Sequence, residues 1–213
     1  MRAYAIDEFG GRGFIRDVPD PEPADDEVLV RVHAAGISAT DLAVLAGWMA
    51  PYLPHVFPLI PGFDAAGFVE RVGKDVAGIA PGDAVYGFQA APVMGRGTLA
   101  ELVAIPARGL QPKPAALPFE SAAVVAHSAL TAVAAVDAAG LASGDIVVVL
   151  GATGGVGSFA TELLAAAGAQ VLAVTRTEYL DYAASLGAVE AVDYVAGDPV
   201  DAVRTGTRRA SAH

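Results

Sequence analysis

Ile146-Val147-Val148-Val149-Leu150-Gly151-Ala152-Thr153-Gly154-Gly155-Val156-Gly157 is the stretch whose reading decides the fold. The apolar run 146–150 reads as a buried strand, the glycine string as a tight turn, and Ser158 to Ala167 as a helix. A strand, a glycine turn and a helix N-terminus together make a site for a pyrophosphate. The glycines let the backbone come close to the phosphates, and the unpaired N–H groups of the first helical turn point at the negative charge. A second strand at Gln170–Thr175 completes a β-α-β unit. Outside that context the same string reads as an ordinary glycine-rich turn.

Working outward, the organisation changes near residue 115. Before it, short strand-like runs are punctuated by Gly, Pro and Asp: Glu27 to Ala34 with period two, Gly67 to Gly73, Asp83 to Gly87, and Leu99 to Ile105. Regular spacing of this kind suggests a small barrel. After Pro118 the pattern turns helical from Phe119 to Ala139. It then alternates: strand 146–150, helix 155–167, strand 170–175, helix 178–186 and a short strand 189–194. Such alternation predicts a parallel sheet covered by helices, so the fold class is α/β plus all-β. The predicted domains are 1–117 and 118–204, followed by an atypical tail at 205–213.

Composition narrows the function. The chain has 213 residues, 54% of them apolar, enough for a substantial core. A formal charge of −11, with no concentrated basic stripe, excludes a nucleic-acid or anionic-membrane surface. There is no cysteine, so disulfides and thiolate metal sites are excluded. The start, Met1 to Glu8, has no hydrophobic export core, and no apolar run approaches membrane-spanning length. The expected location is the cytoplasm.

Several stretches occur in one characteristic order: Val30 to Asp41, Pro61-Gly62-Phe63-Asp64-Ala65-Ala66-Gly67, Val72 to Val76, Pro81 to Tyr86, Phe119 to Ala123, Leu130-Thr131-Ala132, and then the glycine string. Together they resemble the medium-chain dehydrogenase/reductase superfamily, and within it the zinc-independent quinone oxidoreductase and enoyl-reductase branch that includes zeta-crystallin. The resemblance covers residues 1 to about 204. It implies a GroES-like β-barrel domain followed by a Rossmann domain, with the active site in the cleft between them.

Zinc-dependent relatives use a cysteine just after the first Ala-Ala-Gly segment and a Gly-His-Glu motif. This chain has Ser38 and Gly62-Phe63-Asp64 in those places. A hydroxyl and a phenyl ring cannot replace thiolate and imidazole, and the four histidines (33, 55, 127, 213) show no ligand spacing. No metal is predicted.

Cofactor choice is read at the end of the second strand of the β-α-β unit. An NAD site places an acid there for the ribose 2′-hydroxyl, whereas an NADP site removes that charge and offers a cation. Here the strand ends Val174-Thr175-Arg176-Thr177, with no acid before Glu178. Arg176 can pair with a 2′-phosphate in a fork geometry and Thr175 can add a hydroxyl donor, which predicts NADPH. The alternative is that Arg176 caps a solvated loop. The fingerprint is Ala152-x-Gly154-x-x-Gly157, with Gly155 and Val156 supplying backbone contacts. The resemblance adds Thr131 near the nicotinamide, Tyr179 where relatives carry a lysine, and Tyr194 flanking the adenosine side.

On the substrate side, the resemblance implies hydride transfer to a quinone or to the β-carbon of an enone, followed by a proton. Ser38 stands where relatives often carry Asn, and Asp41 matches an acid that orders the cleft loop. Tyr52 is the candidate proton donor or pocket wall, and Asp64 and Phe88 are candidate cleft residues. For each of these, ordinary packing is the competing explanation.

Relatives continue for roughly a hundred residues beyond this point. A sheet in the order 3-2-1-4-5-6 would lack strands 4 to 6, exposing strand 1 as an apolar edge. Thr205 to His213 leaves the family pattern. We therefore expect premature termination, and a homo-oligomer or swapped dimer through the incomplete sheet. Two functions compete: an NADPH-dependent reductase, and a catalytically impaired homologue that acts as a cofactor-binding or interaction module.

Overall fold

A computed structural model describes residues 1–198, 200, 201 and 203–205, and the chain divides into two compact units, Met1–His127 and Ser128–His213. Of the tail assigned to 205–213, only Thr205 lies within the described residues.

The first unit contains β1 (Arg2–Ala5), β2 (Phe14–Asp17), β3 (Glu27–Ala35), α1 (Ala39–Leu45), β4 (His55–Ile60), β5 (Asp64–Val72), β6 (Ala84–Phe88), β7 (Met94–Arg96), β8 (Leu102–Pro106), β9 (Leu110–Pro112) and α2 (Phe119–Ala122). Five strands form one sheet in the order β8-β3-β5-β6-β9, and β1-β2 and β4-β7 form two ribbons. The sheet ends at β8 and β9, which do not pair with each other, so among the described residues the barrel-type domain is not closed by a continuous ring of hydrogen bonds. Single bridges, Ala3 to Ala100 and Ile6 to Leu59, tie β1 and its continuation to other segments of the unit.

Alternation along β3 sends Val28 and Val30 inward and leaves Arg31 and His33 exposed. Val28 and Val30 meet Ala65, Val69, Val85, Val103, Ile105 and Leu110 in the core of the unit. Each fully buried valine or isoleucine of this cluster contributes roughly 1.5–3 kcal/mol. Antiparallel pairing of β3 with β5 sets Val32 opposite Gly67. At Gly67 a Cβ would fall 2.0 Å from the Arg31 carbonyl oxygen, so a glycine is required for the two backbones to approach this closely.

Helix α3 (Val125–Ala139) spans the boundary between the units. The sequence predicts continuous helix over 119–139, but the structure breaks it between α2 and α3. At the break, Ala122 and Ala123 are buried, and the Ala123 carbonyl lies so close to Gly36 that a Cβ there would sit 2.5 Å from its oxygen. Packing against the end of β3 overrides helix propensity at that point.

The second unit continues with β10 (Ile146–Leu150), α4 (Gly155–Ala166), β11 (Gln170–Thr175), α5 (Leu180–Ser185) and β12 (Glu190–Asp193). A 3₁₀ turn at Thr177–Tyr179 replaces the predicted first helical turn at 178. The strands are parallel in the order β10-β11-β12, which is the 3-2-1 half of a doubly wound sheet. Central β11 is buried along nearly its whole length, with Val171, Leu172 and Ala173 at 0% exposure. Edge strand β10 is equally apolar but only half-buried, and Leu150 is 75% exposed. The second unit thus has the partial Rossmann architecture that the alternating pattern predicts.

Replacing Gly67 with alanine forces β3 and β5 apart at their closest approach. We expect a loss of about 2–4 kcal/mol, read from the urea midpoint at unchanged m-value.

Candidate functional site

The second unit carries the glycine loop. Leu150 is followed by Gly151 in the left-handed region at φ +71°, which reverses the chain at the end of the strand. The N–H groups of Gly151 and Ala152 both donate to the Val174 carbonyl, at 3.0 and 3.2 Å. Ala152 is fully buried, and its methyl group packs with Ala173 and Ala183, which accounts for an alanine at the first fingerprint position. Gly154 caps α4, and Gly154, Gly155 and Val156 are exposed. The N–H groups of Gly155, Val156 and Gly157 open the helix and have no acceptor within it.

At Gly157 a Cβ would lie 2.1 Å from the Gly151 carbonyl oxygen. The loop folds on itself too tightly for any side chain at that position, and this leaves an amide-lined cradle facing solvent. A dinucleotide pyrophosphate fits such a cradle. Ser128 on α3 lies against the loop, its Oγ 3.1 Å from where a Cβ of Gly155 would be. Thr131 is exposed one helical turn further along α3.

The end of β11 stands next to this loop. Thr175 is buried and shares a 2.5 Å hydrogen bond with the Thr153 hydroxyl, so its side chain locks the loop to the strand. Arg176 is exposed, and its Nε lies 3.1 Å from Glu178 Oε1. Tyr194 donates its N–H to the Thr175 carbonyl at 3.1 Å and keeps an exposed ring, and Tyr179 is likewise exposed. Asp193 accepts from the Thr177 hydroxyl and the Val195 N–H, which hold its carboxyl below the usual range. The structure therefore gathers the glycine loop, Thr175, Arg176 and Tyr194 in one neighbourhood. Sequence reasoning missed Thr153 and Glu178. A hydroxyl inside the glycine string and an acid two residues after Arg176 were the available signals.

In the first unit, Ser38 caps α1, and its N–H and hydroxyl both donate to Asp41 Oδ2, at 2.7 and 3.0 Å. Asp41 is 2% exposed and its Oδ1 has no hydrogen-bond partner. Asp64 opens β5, also buried, and its Oδ1 accepts the His127 N–H at 2.9 Å. Register sets Asp64 opposite Phe88. Phe88 stacks on Phe63 at 5.4 Å between centroids, and His127 tilts against both rings. Buried Asp64 and Phe63 and half-buried Phe88 and His127 thus form one group.

Tyr52 stands apart, on the turn after α1 with 78% exposure. Asp41 also lines an open apolar groove of about 640 Å³ with Ile15, Ile37, Leu42 and Pro61; Ser38, Tyr52, Asp64 and Phe88 do not. Among the described residues no group of three or more His, Asp or Glu is arranged to hold a metal.

Burial pushes the Asp64 carboxyl up to about 7, with a smaller contribution from Asp41; the His127 N–H opposes the rise. Because the folded value lies above the unfolded one, the associated stability is complete below about pH 4 and is lost as pH rises through 7. Asp64→Asn removes the titration. Relative to that variant, the native chain is expected to lose roughly 4 kcal/mol between pH 4 and pH 8, measured by urea unfolding at each pH.

The chain matches the alcohol dehydrogenase GroES-like domain over residues 24–115. The chloroplastic quinone oxidoreductase QR1 of Triphysaria versicolor is 34% identical over 201 residues, covering 91% of this chain and 61% of that protein. A solved NAD-dependent alcohol dehydrogenase superposes with a TM-score of 0.88 at 36% identity, covering 97% of this chain and 67% of its own. The Escherichia coli quinone oxidoreductase complexed with NADPH gives a TM-score of 0.87 at 26% identity, covering 97% and 63%. The chain spans about half to three fifths of the length of the curated relatives it matches. On this fold, with this glycine loop, the chain belongs to the medium-chain dehydrogenase/reductase superfamily, and proteins named as quinone oxidoreductases are among those it is similar to.

Proposed function

We propose that the protein is an NADPH-dependent oxidoreductase that reduces a quinone or an α,β-unsaturated carbonyl without zinc. The observation that carries this reading is the solvent-facing amide cradle at Gly154–Gly157, closed from behind by the 2.1 Å approach that excludes a side chain at Gly157. The relatives named as quinone oxidoreductases support the substrate class.

When bound, the dihydronicotinamide supplies a hydride, and the substrate takes up that hydride and one proton. The chain's own residues do the rest by positioning. The N–H groups of Gly155, Val156 and Gly157 hold the pyrophosphate, Arg176 holds the 2′-phosphate, and Tyr179 and Tyr194 flank the adenosine. Thr131 orients the nicotinamide end. Thr175 acts through Thr153 on the shape of the loop.

On the substrate side, Ser38 has its hydroxyl proton engaged by Asp41, so it accepts hydrogen bonds and does not donate one. Asp41 orders the segment that carries Ser38. Asp64 and Phe88 form the pocket wall, and Tyr52 is the proton donor. The zinc-free reading rests on donor chemistry: Ser38 and Phe63 offer neither thiolate nor imidazole.

A second reading, a cofactor-binding module without turnover, is favoured by the edge position of β10 in the three-stranded sheet. The same edge is where a homo-oligomer or swapped dimer would form.

Titration of NADPH fluorescence, combined with a quinone reduction assay, separates the readings. Saturable binding with zinc-insensitive turnover is the expected result, and binding without turnover selects the module. Gly157→Ala, checked for folding by circular dichroism, should weaken NADPH binding at least tenfold. Light scattering should give a mass above that of one 21.5 kDa chain.

A further inference from the structure

Arg176 is the side chain assigned to a 2′-phosphate, but its guanidinium already has a partner. Its Nε lies 3.1 Å from Glu178 Oε1, across Thr177, where the backbone leaves β11 for the 3₁₀ turn. Both side chains are about half exposed, at 57% and 48%. An exposed pair of this kind biases an equilibrium by no more than about fivefold, so an incoming anion can displace the carboxylate. The displaced carboxylate would still lie within a few ångströms of the phosphate, and repulsion between two anions in that setting is of similar size.

The other polar groups at this strand end are committed elsewhere. The Thr175 hydroxyl is buried on Thr153. Asp193 has one oxygen on the Thr177 hydroxyl at 2.7 Å and the other on the Val195 N–H at 2.8 Å, so its carboxylate is fixed in place. Glu178 differs from both: its contact is the exposed one with Arg176, and its side chain can turn without breaking a buried bond. A ribose 2′-hydroxyl needs an acceptor and a 2′-phosphate needs a cation. Arg176 and Glu178 supply one of each at the same place.

We infer that Glu178 sets cofactor choice at this site. It restrains Arg176 from a 2′-phosphate, and it accepts the 2′-hydroxyl of the unphosphorylated ribose. The inference rests on the nicotinamide-dinucleotide reading above and adds a selectivity determinant to it. The protein therefore takes both NAD(H) and NADP(H), and prefers the phosphorylated form by less than Arg176 alone would give. Because both groups are exposed, the restraint is electrostatic and weakens with salt.

The test is calorimetric binding of NADP⁺ and NAD⁺, with 2′,5′-ADP and 5′-ADP as the adenosine-side fragments. The proteins are the native chain, Glu178→Gln, Glu178→Ala and Arg176→Ala. Both Glu178 variants are expected to tighten NADP⁺ and 2′,5′-ADP by about 3- to 10-fold. Glu178→Gln should leave NAD⁺ within twofold, because the amide oxygen still accepts the hydroxyl, and Glu178→Ala should weaken it several-fold. The gain for NADP⁺ should shrink at 0.5 M salt and in the Arg176→Ala background. If all four proteins bind both dinucleotides and the affinity ratio moves less than twofold, the inference is overturned and the cofactor reading stands. If none of them binds either dinucleotide or either fragment, both fail. Glu178 is exposed, so loss of fold does not confound these variants.

Discussion

The contact between Gly157 and the Gly151 carbonyl constrains everything around the glycine loop. A Cβ at 2.1 Å is impossible, so the first turn of α4 is pressed against the strand end in a way that only glycine allows. Three further ties fix the same loop. Gly151 and Ala152 both donate to Val174, and Thr153 bonds Thr175. The loop is thereby attached to β11 as well as to β10, and its free N–H groups point outward from a rigid base. An anion site depends on that rigidity, because donors that must reorganise lose much of their advantage over water.

The strand the loop is tied to is also the best buried in the second unit. β11 lies between β10 and β12 and has 0% exposure at three consecutive positions. β10 is just as apolar in sequence but half-buried as an edge. Free energy from apolar burial is therefore concentrated in β11. The candidate site residues follow directly from its end: Thr175 points inward to brace the loop, and Arg176 points outward into solvent. Outside, charge is balanced locally, with Glu178 on Arg176 and the Asp193 carboxylate saturated by donors.

The first unit uses burial for a different end. Asp41 and Asp64 are carboxyl groups at 2% and 5% exposure, and neither has a cationic partner among its described contacts. Asp41 is satisfied at one oxygen by the chain segment it caps, whereas Asp64 keeps its proton to near neutrality because burial disfavours its charge. Phe63 and Phe88 stacked beside it supply the low-polarity surroundings. Ser38 hydrogen-bonds to Asp41, and Phe63 packs on Phe88 and His127.

How much was legible in the sequence depended on how local the cause was. Strands 146–150 and 170–175 are read to the residue because each is a short, mostly apolar run that ends at a turn. Such a run pairs well in a parallel sheet whether it lies at the edge, as β10 does, or in the centre, as β11 does. The glycine loop is equally local, since its glycines, strand and helix are contiguous. β1, β4, β7 and β9 are short, and β4 carries Pro58, so their pairing arises from contacts distant in the chain. The break between α2 and α3 has the same origin, in the packing of Ala123 against Gly36. Sequence by itself determined the two architectures and the loop. Tertiary structure alone decided that Thr175 faces the core, that Arg176 is already paired, and that Asp64 holds its proton, because each depends on which side chains arrive from elsewhere and how much water they exclude.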